Sequence, residues 1–330
     1  MTAPLVQVRD LRVRFVSREA KVQAVSGVSF DVMPGEVLCI IGESGSGKSV
    51  TMRALLRLHP PKRTVIEGSI RVAGRDILAL SAREMGAVRG GLISMVFQEP
   101  MTALDPVYRI GEQIAETVMR HEGVSHQAAM ARALELLQMV KVPSPERRLR
   151  AFPHELSGGL RQRAMIALAL SCRPSLLLAD EPTTALDVTV QIQVLIMLRR
   201  LQAEFGMAVI FVTHDLGVAA QIADQVAVMY AGRIIEQGSV GDVLRNPSHP
   251  YTRGLIASTL HGQDRTTEIE AIPGSPPDLR ALPPGCSFAP RCRYEMPPCT
   301  DAFPPNGTVG PGHRAACIRL AAIGAEPYPA

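Results

Sequence analysis

The sequence has no tryptophan, few aromatic residues and little net charge. Phenylalanine and tyrosine together make up 4% of its 330 residues, and the formal net charge is +4. Nucleic-acid surfaces usually combine basic blocks with interleaved aromatic side chains. Since no such block occurs here, the composition gives no support to a nucleic-acid partner.

Long hydrophobic runs are also missing, although 46% of the residues are hydrophobic. The longest apolar stretches, such as residues 176–179 and 207–212, are far shorter than the roughly 18 to 20 residues of a membrane-spanning helix. Residues 1–15 alternate like a strand and do not resemble a signal peptide. We therefore expect a cytoplasmic chain with one large domain plus an appendage, or two modest domains. Any role at a membrane would come through a partner.

Residues 41–49 carry a pattern of the form G-x-x-x-x-G-K-[ST] between an apolar run and a helix-forming segment, residues 51–58. Glycines let the backbone wrap around phosphate oxygens with its N–H groups pointing inward, and the helix adds partial positive charge. We expect Lys48 to reach the β- and γ-phosphates and Ser49 to ligate Mg²⁺; a Gly/Ser-rich turn is the alternative. The predicted nucleotide-binding residues of this phosphate loop are Gly42, Glu43, Ser44, Gly45, Ser46, Gly47, Lys48, Ser49 and Val50.

Residues 6–15 and 26–32 alternate apolar and polar side chains, which predicts half-buried antiparallel strands. Phe15 lies ahead of the phosphate loop, where an aromatic ring can stack on a purine. Such stacking is worth roughly 1–3 kcal/mol per base in other proteins. We expect Phe15 to contact the base; the alternative is a core phenylalanine of an edge strand.

A second anion-binding pattern follows a segment, residues 110–142, whose apolar spacing predicts an inserted helical subdomain. Ser157, Gly158 and Gly159 begin an amphipathic helix that is predicted to run to about residue 171. A serine followed by two glycines at a helix start is suited to anions. One P-loop protein rarely needs two such sites, so we expect this one to serve a nucleotide held by a neighbouring molecule.

Two predicted buried strands end in side chains that suit hydrolysis. Residues 175–181 end in Asp180 and Glu181. The first carboxylate can hold Mg²⁺ through water, and the second can polarise a water for in-line attack on the γ-phosphorus. Residues 207–213 lead into His214, placed where open parallel sheets bind ligands; a solvated surface histidine is the alternative.

The six cysteines are unevenly distributed. Cys39 and Cys172 stand in apolar surroundings and are predicted to be small buried residues. The other four lie in a proline-rich tail that cannot form long helices: Cys286, Cys292, Cys299 and Cys317. Four thiolates can hold Zn²⁺ or an iron–sulfur cluster. The C-x₂-C pairs of structural zinc are missing, and a cytoplasmic setting argues against disulfides. A cluster, another metal site and free thiols remain open.

These elements, in this order, resemble the ATPase subunit of ABC transporters over roughly residues 5 to 240. The resemblance implies an α/β fold with a P-loop NTPase (RecA-like) core, an antiparallel β subdomain, an inserted α-helical subdomain and a Pro/Cys-rich C-terminal extension. In this family two ATPase subunits pair head to tail, with each ATP between the phosphate loop of one and the Ser-Gly-Gly segment of the other. The matching parts are residues 42–49, Gln98, residues 156–163, 176–181 and 184–187, and His214.

The resemblance also implies roles for single residues. Glu181 is the expected general base, and Asp180 is the expected Mg²⁺ partner. Gln98 is expected to sense Mg²⁺ and water, and His214 to contact the γ-phosphate. Asp187 would belong to the loop that communicates across the dimer.

A finer resemblance is to the D-type ATPase subunit of oligopeptide and dipeptide importers. It rests on residues 97–106, 157–163, 185–191 and 246–252, and it extends to nearly the whole chain. Leu160 departs from the commonest signature, which has Gln there, so backbone N–H groups of Gly158 and Gly159 are expected to serve instead. Related importer ATPases carry a similar cysteine set, which in some of them suits a [4Fe–4S] cluster. We predict that cluster here.

The resemblance implies an ATP-binding domain in residues 1–245, with a helical subdomain at about 100–170, and a C-terminal extension in residues 246–330. ATP hydrolysis with Mg²⁺ would power import of di- or oligopeptides, and nickel chelates or other small solutes are the alternative. The expected partners are a distinct F-type ATPase subunit, two membrane permease subunits and an extracytoplasmic solute-binding protein. The chain would be peripheral, on the cytoplasmic face of the inner membrane.

Two other classes of function fit less well. Soluble ABC ATPases of DNA repair need a long coiled-coil insertion, and those of the ribosome carry two ATPase units in one chain. Here the segment between Gln98 and Leu156 is short, and the sequence has one phosphate loop. A simple P-loop kinase would leave residues 156–163 unexplained.

Overall fold

The computed structural model describes residues 3–184, 186–258 and 271–324. Ala185, in the predicted loop 184–187, lies outside these residues. The chain divides into two compact units. The first unit comprises Met1–Leu5, Met33–Glu36 and Ala79–Phe211, and the second comprises Val6–Val32, Val37–Leu78 and Val212–Ala330. This division differs from the predicted domain boundary at residue 245, which stays a prediction.

The second unit contains a four-stranded antiparallel sheet, in the order β2-β1-β4-β5. Its strands are β1 (Val6–Val16), β2 (Lys21–Val32), β4 (Thr64–Val72) and β5 (Arg75–Asp76). The strands predicted at residues 6–15 and 26–32 are confirmed as parts of β1 and β2. β4 and β5 form a further hairpin around Gly74. The predicted start of β2 at Ser26 is wrong: the strand begins at Lys21, which pairs with Val16, although residues 21–23 are not buried.

A further row of strands in the second unit positions the phosphate loop. The strands are β3 (Val37–Ile41), β9 (Gln225–Tyr230), β10 (Arg233–Ser239), β11 (Gly307–Gly310) and β12 (His313–Ala315), in the order β11-β12-β10-β9-β3. β3 pairs with β9 in parallel, and all five of its residues are buried. A short buried parallel strand therefore delivers the chain into the loop at Gly42.

Helix α1 (Lys48–Leu55) follows the phosphate loop. The predicted range, residues 51–58, is shifted by three residues. Gly47 has φ 101° and Lys48 is already helical. The helix therefore begins inside the phosphate-loop pattern, where the spacing of apolar residues gives no signal for its start. At the other end Arg57 has φ 50°, a left-handed conformation that does not continue a helix.

The remaining helices of the second unit are short: α8 (Leu216–Ile222), α9 (Val240–Arg245), α10 (Pro250–Ala257) and α11 (Leu320–Gly324). Glu236 of β10, which is 1% exposed, holds this part of the chain together. Its carboxylate accepts hydrogen bonds from the backbone N–H groups of Ser248 (2.7 Å) and His249 (2.9 Å) and contacts His313 Nε2 at 2.8 Å. In the described residues after 271, α11 is the longest helix, as the proline content predicts.

The first unit contains three strands in the order β8-β7-β6: β6 (Ile93–Val96), β7 (Leu176–Asp180) and β8 (Ala208–Thr213). Its helices are α2 (Ala82–Gly91), α3 (Ile110–Glu122), α4 (His126–Met139), α5 (Pro145–Leu149), α6 (Gly158–Ala169) and α7 (Val188–Phe205). The helical segment predicted at residues 110–142 is confirmed as α3 and α4, which pack against each other.

Over the described residues, none of the helices combines the length and the apolar character that crossing a membrane requires.

Candidate nucleotide-binding site

The phosphate loop depends on glycine at two positions. Gly42 has φ 150°, and a Cβ atom there would lie 2.1 Å from the carbonyl oxygen of Met229. Gly47 has φ 101°, and its Cβ would lie 2.5 Å from the carbonyl oxygen of Ala24. Side chains at either position would therefore be strained and would collide with backbone. The loop is held against the strands of its own unit.

The side chain of Lys48 is buried and contacts the backbone of the loop. It is 5% exposed, and its Nζ donates to the carbonyl oxygens of Gly42 (2.7 Å) and Glu43 (2.9 Å). The hydroxyl of Ser46 is also buried and has no hydrogen-bond partner among the described residues. A buried hydroxyl without a partner is costly, and a phosphate oxygen would satisfy it. The charge of Lys48 and this donor fit an anionic ligand with several oxygens.

Phe15 contacts His59, a residue that the sequence analysis did not select. The two rings are T-shaped, with centroids 5.3 Å apart and an interplanar angle of 77°. His59 Nε2 donates to the carbonyl oxygen of Val50 at 2.9 Å, and burial lowers the pKa of this histidine. Phe15 is neither fully buried nor fully exposed. Base stacking by Phe15 stays a prediction.

In the first unit, Gln98 and Thr184 both contact the carboxylate of Glu181. Gln98 Nε2 donates to Glu181 Oε2 at 3.2 Å, and Thr184 Oγ1 donates to the same oxygen at 2.9 Å. Glu181 has φ 46°, a conformation that costs about 1–3 kcal/mol for a residue other than glycine. Asp180, at the end of β7, is fully buried. Glu181 therefore lies in a strained turn where its carboxylate contacts Gln98 and Thr184, whereas the neighbouring Asp180 is buried.

The Ser-Gly-Gly segment begins α6 in the first unit, as predicted. Ser157 is the N-cap residue, but in the described chain its side chain makes no capping hydrogen bond. A Cβ at Gly158 would meet no described atom within 4 Å, whereas one at Gly159 would lie 3.0 Å from Val190 Cγ1. The helix behind this surface is fixed by Arg163, which donates to the carbonyl oxygen of Val140 at 2.8 Å and to Gln193 Oε1 at 3.0 Å.

Asp187 and His214 stand at the starts of helices. The carboxylate of Asp187 accepts from the backbone N–H of Val190 at 2.9 Å and caps α7, so it has a structural contact besides its predicted role. His214 is exposed directly after β8. The sequence analysis missed its neighbour Asp215, which caps α8 through the N–H groups of Gly217 and Val218. A capping bond of this kind fixes the backbone beside His214.

The C-terminal part of the second unit contacts the phosphate loop at Glu43. Arg291 donates to both carboxylate oxygens of Glu43, and the hydroxyl of Tyr251 accepts from the Glu43 backbone N–H at 2.9 Å. Burial lowers the pKa of Arg291, but hydrogen bonds to Glu43 and Tyr230 outweigh it and leave the pKa above its ordinary value. Arg291 and Tyr251 were not predicted as site residues.

All six cysteines lie in the described part of the chain and are free thiols. Cys39 is buried as predicted. Cys172 is only half-buried, which corrects its prediction; its sulfur lies 3.8 Å from the carbonyl oxygen of Thr117. In the tail, burial raises the pKa of Cys292 to about 11, and the charges of the three other tail thiols, Cys286, Cys299 and Cys317, act in the same direction. The four thiols are therefore near one another, but the described residues form no group of three or more ligands arranged to hold a metal ion.

A glycine-bounded loop with a buried lysine, placed between a buried parallel strand and a helix, defines a P-loop nucleotide-binding protein. The family model described as ABC transporter matches residues 25–184, and the one described as oligopeptide/dipeptide transporter, C-terminal region, matches residues 235–299.

Relatives cover nearly the whole chain. A probable peptide ABC transporter ATP-binding protein of Sinorhizobium fredii is 50% identical over 96% of this chain and 95% of that protein. An oligopeptide transport ATP-binding protein of Salmonella typhimurium is 48% identical over 96% and 93%. The dimeric, post-hydrolysis structure of the ATP-binding cassette MJ0796 with ADP and phosphate matches with a TM-score of 0.64 and 29% identity, over 71% of this chain and 98% of that chain.

The chain therefore belongs to the ABC transporter ATP-binding protein family, and it is an ATPase. The predicted α/β, P-loop NTPase fold is confirmed.

Proposed function

We propose that this chain is the ATP-hydrolysing subunit that powers import of di- or oligopeptides through a membrane ABC transporter. One observation carries the proposal: the ABC transporter match and the oligopeptide/dipeptide transporter C-terminal match occur in order on one chain, and relatives named for peptide transport cover more than nine-tenths of it. In this proposal residues 1–245 hydrolyse ATP, and residues 246–330 are the importer-type extension.

The proposed chemistry uses the residues that the two units present. Lys48 and the backbone N–H groups of the phosphate loop bind the β- and γ-phosphates. Ser49, Gln98 and Asp180 would hold Mg²⁺, which would neutralise charge that develops on the phosphate oxygens. Glu181 accepts the proton of the attacking water, and its hydrogen bond from Gln98 orients it. His214 contacts the γ-phosphate.

Contacts with the purine base of ATP and with the ATP of a second subunit complete the proposed site. Phe15 stacks on the base beside His59. Ser157, Gly158 and Gly159 serve the ATP of a second ATPase subunit, for which the absent cap bond of Ser157 and the open space at Gly158 are the support. Asp187 lies in the loop that couples the two subunits.

The proposed partners follow from the importer role. They are a second ATPase subunit of the F type, two permease subunits and an extracytoplasmic solute-binding protein. The chain would lie peripherally on the cytoplasmic face of the inner membrane, attached through the permeases.

Reconstitution of the complete transporter in vesicles tests the proposed function. We expect ATP-dependent uptake of labelled peptides that is lost with Glu181→Gln, together with copurification of permease subunits. Uptake of nickel chelates in place of peptides would contradict the substrate class. Copurification with ribosomes or DNA, without permeases, would contradict the importer role.

For the tail we propose a [4Fe–4S] cluster held by Cys286, Cys292, Cys299 and Cys317. The donor chemistry supports it. Burial raises the pKa of Cys286, Cys292 and Cys317, and hydrogen bonds from backbone N–H groups to the same sulfurs act in the opposite direction. Among the residues that the structure describes, the four sulfurs are not arranged to hold a metal ion. The proposed hydrolysis includes no step that uses the cluster. Anaerobic purification with iron and sulfide analysis tests it. A brown protein with about four irons per chain is expected, and colourless protein without iron or sulfide contradicts it.

A further inference from the structure

Arg291, far along the chain from the phosphate loop, forms a two-pronged ion pair with it. Its Nη1 donates to Glu43 Oε2 at 2.9 Å and its Nη2 donates to Glu43 Oε1 at 3.2 Å. The side chain of Arg291 is 6% exposed, and that of Glu43 is 25% exposed. Bidentate, largely buried pairs of this kind fix orientation far better than surface ion pairs do.

The guanidinium group is itself held by fixed groups. Its Nε donates to the carbonyl oxygen of Pro273 at 2.8 Å, and Nη1 donates to the hydroxyl of Tyr230 at 3.2 Å. Tyr230, Tyr251 and Phe288 pack ring against ring, with centroids 4.6–5.5 Å apart. Because Tyr251 also accepts the backbone N–H of Glu43, this loop residue is bound through both its side chain and its main chain.

A cavity of about 390 Å³ lies between the loop and the same part of the chain. Residues 43–46 of the phosphate loop line one side, and residues 276–280 line the other. The second wall is fixed to β2, because the backbone N–H of Gln23 donates to the carbonyl oxygen of Leu279 at 3.1 Å. The size falls in the range of small-molecule sites. The phosphate loop and the C-terminal segment therefore line one space that is large enough for a ligand.

We propose that residues 273–291 are part of the nucleotide-binding site and that Arg291 is a positioning residue, which sets the phosphate loop through Glu43. This inference rests on the proposed function, since it concerns the same ATP. The loop binds phosphate through backbone N–H groups, whose directions follow the conformation of residues 42–47. When Glu43 is released, the loop gains conformations that must be given up on binding, so affinity falls.

The test compares single and double variants of the full-length chain. Arg291→Ala, Glu43→Ala and the double variant are measured for ATP and ADP dissociation constants with a fluorescent nucleotide analogue. We expect each single variant to bind about tenfold more weakly, the smaller end of what losing an orienting partner costs at other sites. The double variant should be no weaker than either single one, because both remove the same contact. Arg314→Ala, which removes an exposed arginine of β12, should bind as the unaltered chain does.

Steady-state ATPase assays separate positioning from a general loss of structure. We expect Arg291→Ala to raise KM with little change in kcat, because a positioning residue of the phosphate loop acts on nucleotide binding and leaves the proposed base Glu181 unaltered. Arg291→Lys should recover only part of the affinity, since lysine cannot form both bonds. Should Arg291→Ala fail to fold, Glu43→Gln, which keeps the shape and removes the charge, takes its place.

Unchanged nucleotide affinity in Arg291→Ala and in Glu43→Gln would overturn the inference, as would strictly additive losses in the double variant. If the unaltered chain binds neither ATP nor ADP, the proposed function fails instead. If it binds both and the variants match it, the inference alone fails.

Discussion

The two anion-binding segments of this chain look alike in sequence and differ in structure. In the phosphate loop, Gly42 and Gly47 are pressed against backbone of their own unit, and Lys48 is folded onto loop carbonyls. In the Ser-Gly-Gly segment, Ser157 and Gly158 are exposed, and nothing described lies within 4 Å of a Cβ at Gly158.

Glycine therefore serves a different structural purpose in each of the two segments. In the phosphate loop it permits a positive φ and close packing inside one chain. At the start of α6 it leaves a helix N-terminus uncovered, so that a ligand can approach the N–H groups. The first segment is completed by its own chain, and the second presents donors outward. This difference is what the proposed site between two ATPase subunits requires.

The largest expected effect separates binding from hydrolysis. Glu181→Gln should slow ATP turnover by about 10²–10⁴, the usual share of a positioned acid–base group, while ATP affinity at the phosphate loop stays within about twofold. ATPase rates and nucleotide binding measure the two quantities. Glu204→Gln, the same change on the surface of α7, is the control. Full ATPase activity in Glu181→Gln would remove this residue from its role.

The next effect concerns two N-cap serines. Ser157→Ala should leave nucleotide affinity of the isolated chain unchanged but lower ATPase activity of the assembled transporter by about 10², the cost of one preorganised donor. Ser125→Ala is the matched control, because Ser125 caps α4 by accepting from the Ala128 N–H. It should cost about 1 kcal/mol of stability and no ATPase activity. Full ATPase activity in Ser157→Ala together with lost activity in Ser125→Ala would contradict the proposed difference between these two serines.

A pair of glycine substitutions tests the packing difference directly. Gly42→Ala should lower the free energy of unfolding by about 1–3 kcal/mol, because its Cβ meets the Met229 carbonyl oxygen. Gly158→Ala should change it by less than about 0.5 kcal/mol. Urea unfolding of both variants beside the unaltered chain provides the values. Equal destabilisation would show that the two segments are equally packed.

The last prediction is a pH dependence of stability that arises at His249, in the same unit as the phosphate loop. His249 is 1% exposed, and burial lowers its pKa to about 4; Glu236 acts in the opposite direction. Between pH 6.5 and 4 the unfolded chain then binds more protons than the folded chain, so stability is complete above pH 6.5 and falls as the pH drops. From pH 7 to 5 this histidine should account for about 2 kcal/mol of lost stability.

The matched variant is His249→Asn, which keeps an acceptor for the Tyr251 N–H but does not titrate. Its unfolding free energy should depend less on pH than that of the unaltered chain. Identical pH profiles would show that His249 does not remain neutral inside the fold.

Much of this fold could be predicted because its signals are local. The loop pattern at residues 42–49, the hairpin around Gly74 and the period of residues 110–142 are each contained in a short window. Element ends were less predictable, since β2 begins where its pairing with β1 begins, five residues before the predicted start at Ser26.

The contacts that the sequence did not predict join distant residues. Glu43 and Arg291 are 248 residues apart, and no pattern around either one indicates the other. His59, which follows α1, contacts Phe15 of β1. Such contacts follow from the tertiary fold, and periodicity does not contain them.

The most direct test of the central claim is a structure of the assembled, ATP-bound transporter carrying Glu181→Gln. We predict that the hydroxyl of Ser157 lies about 3 Å from the γ-phosphate of an ATP held by the other subunit's phosphate loop. A structure in which Ser157 is remote from every bound triphosphate would contradict the account.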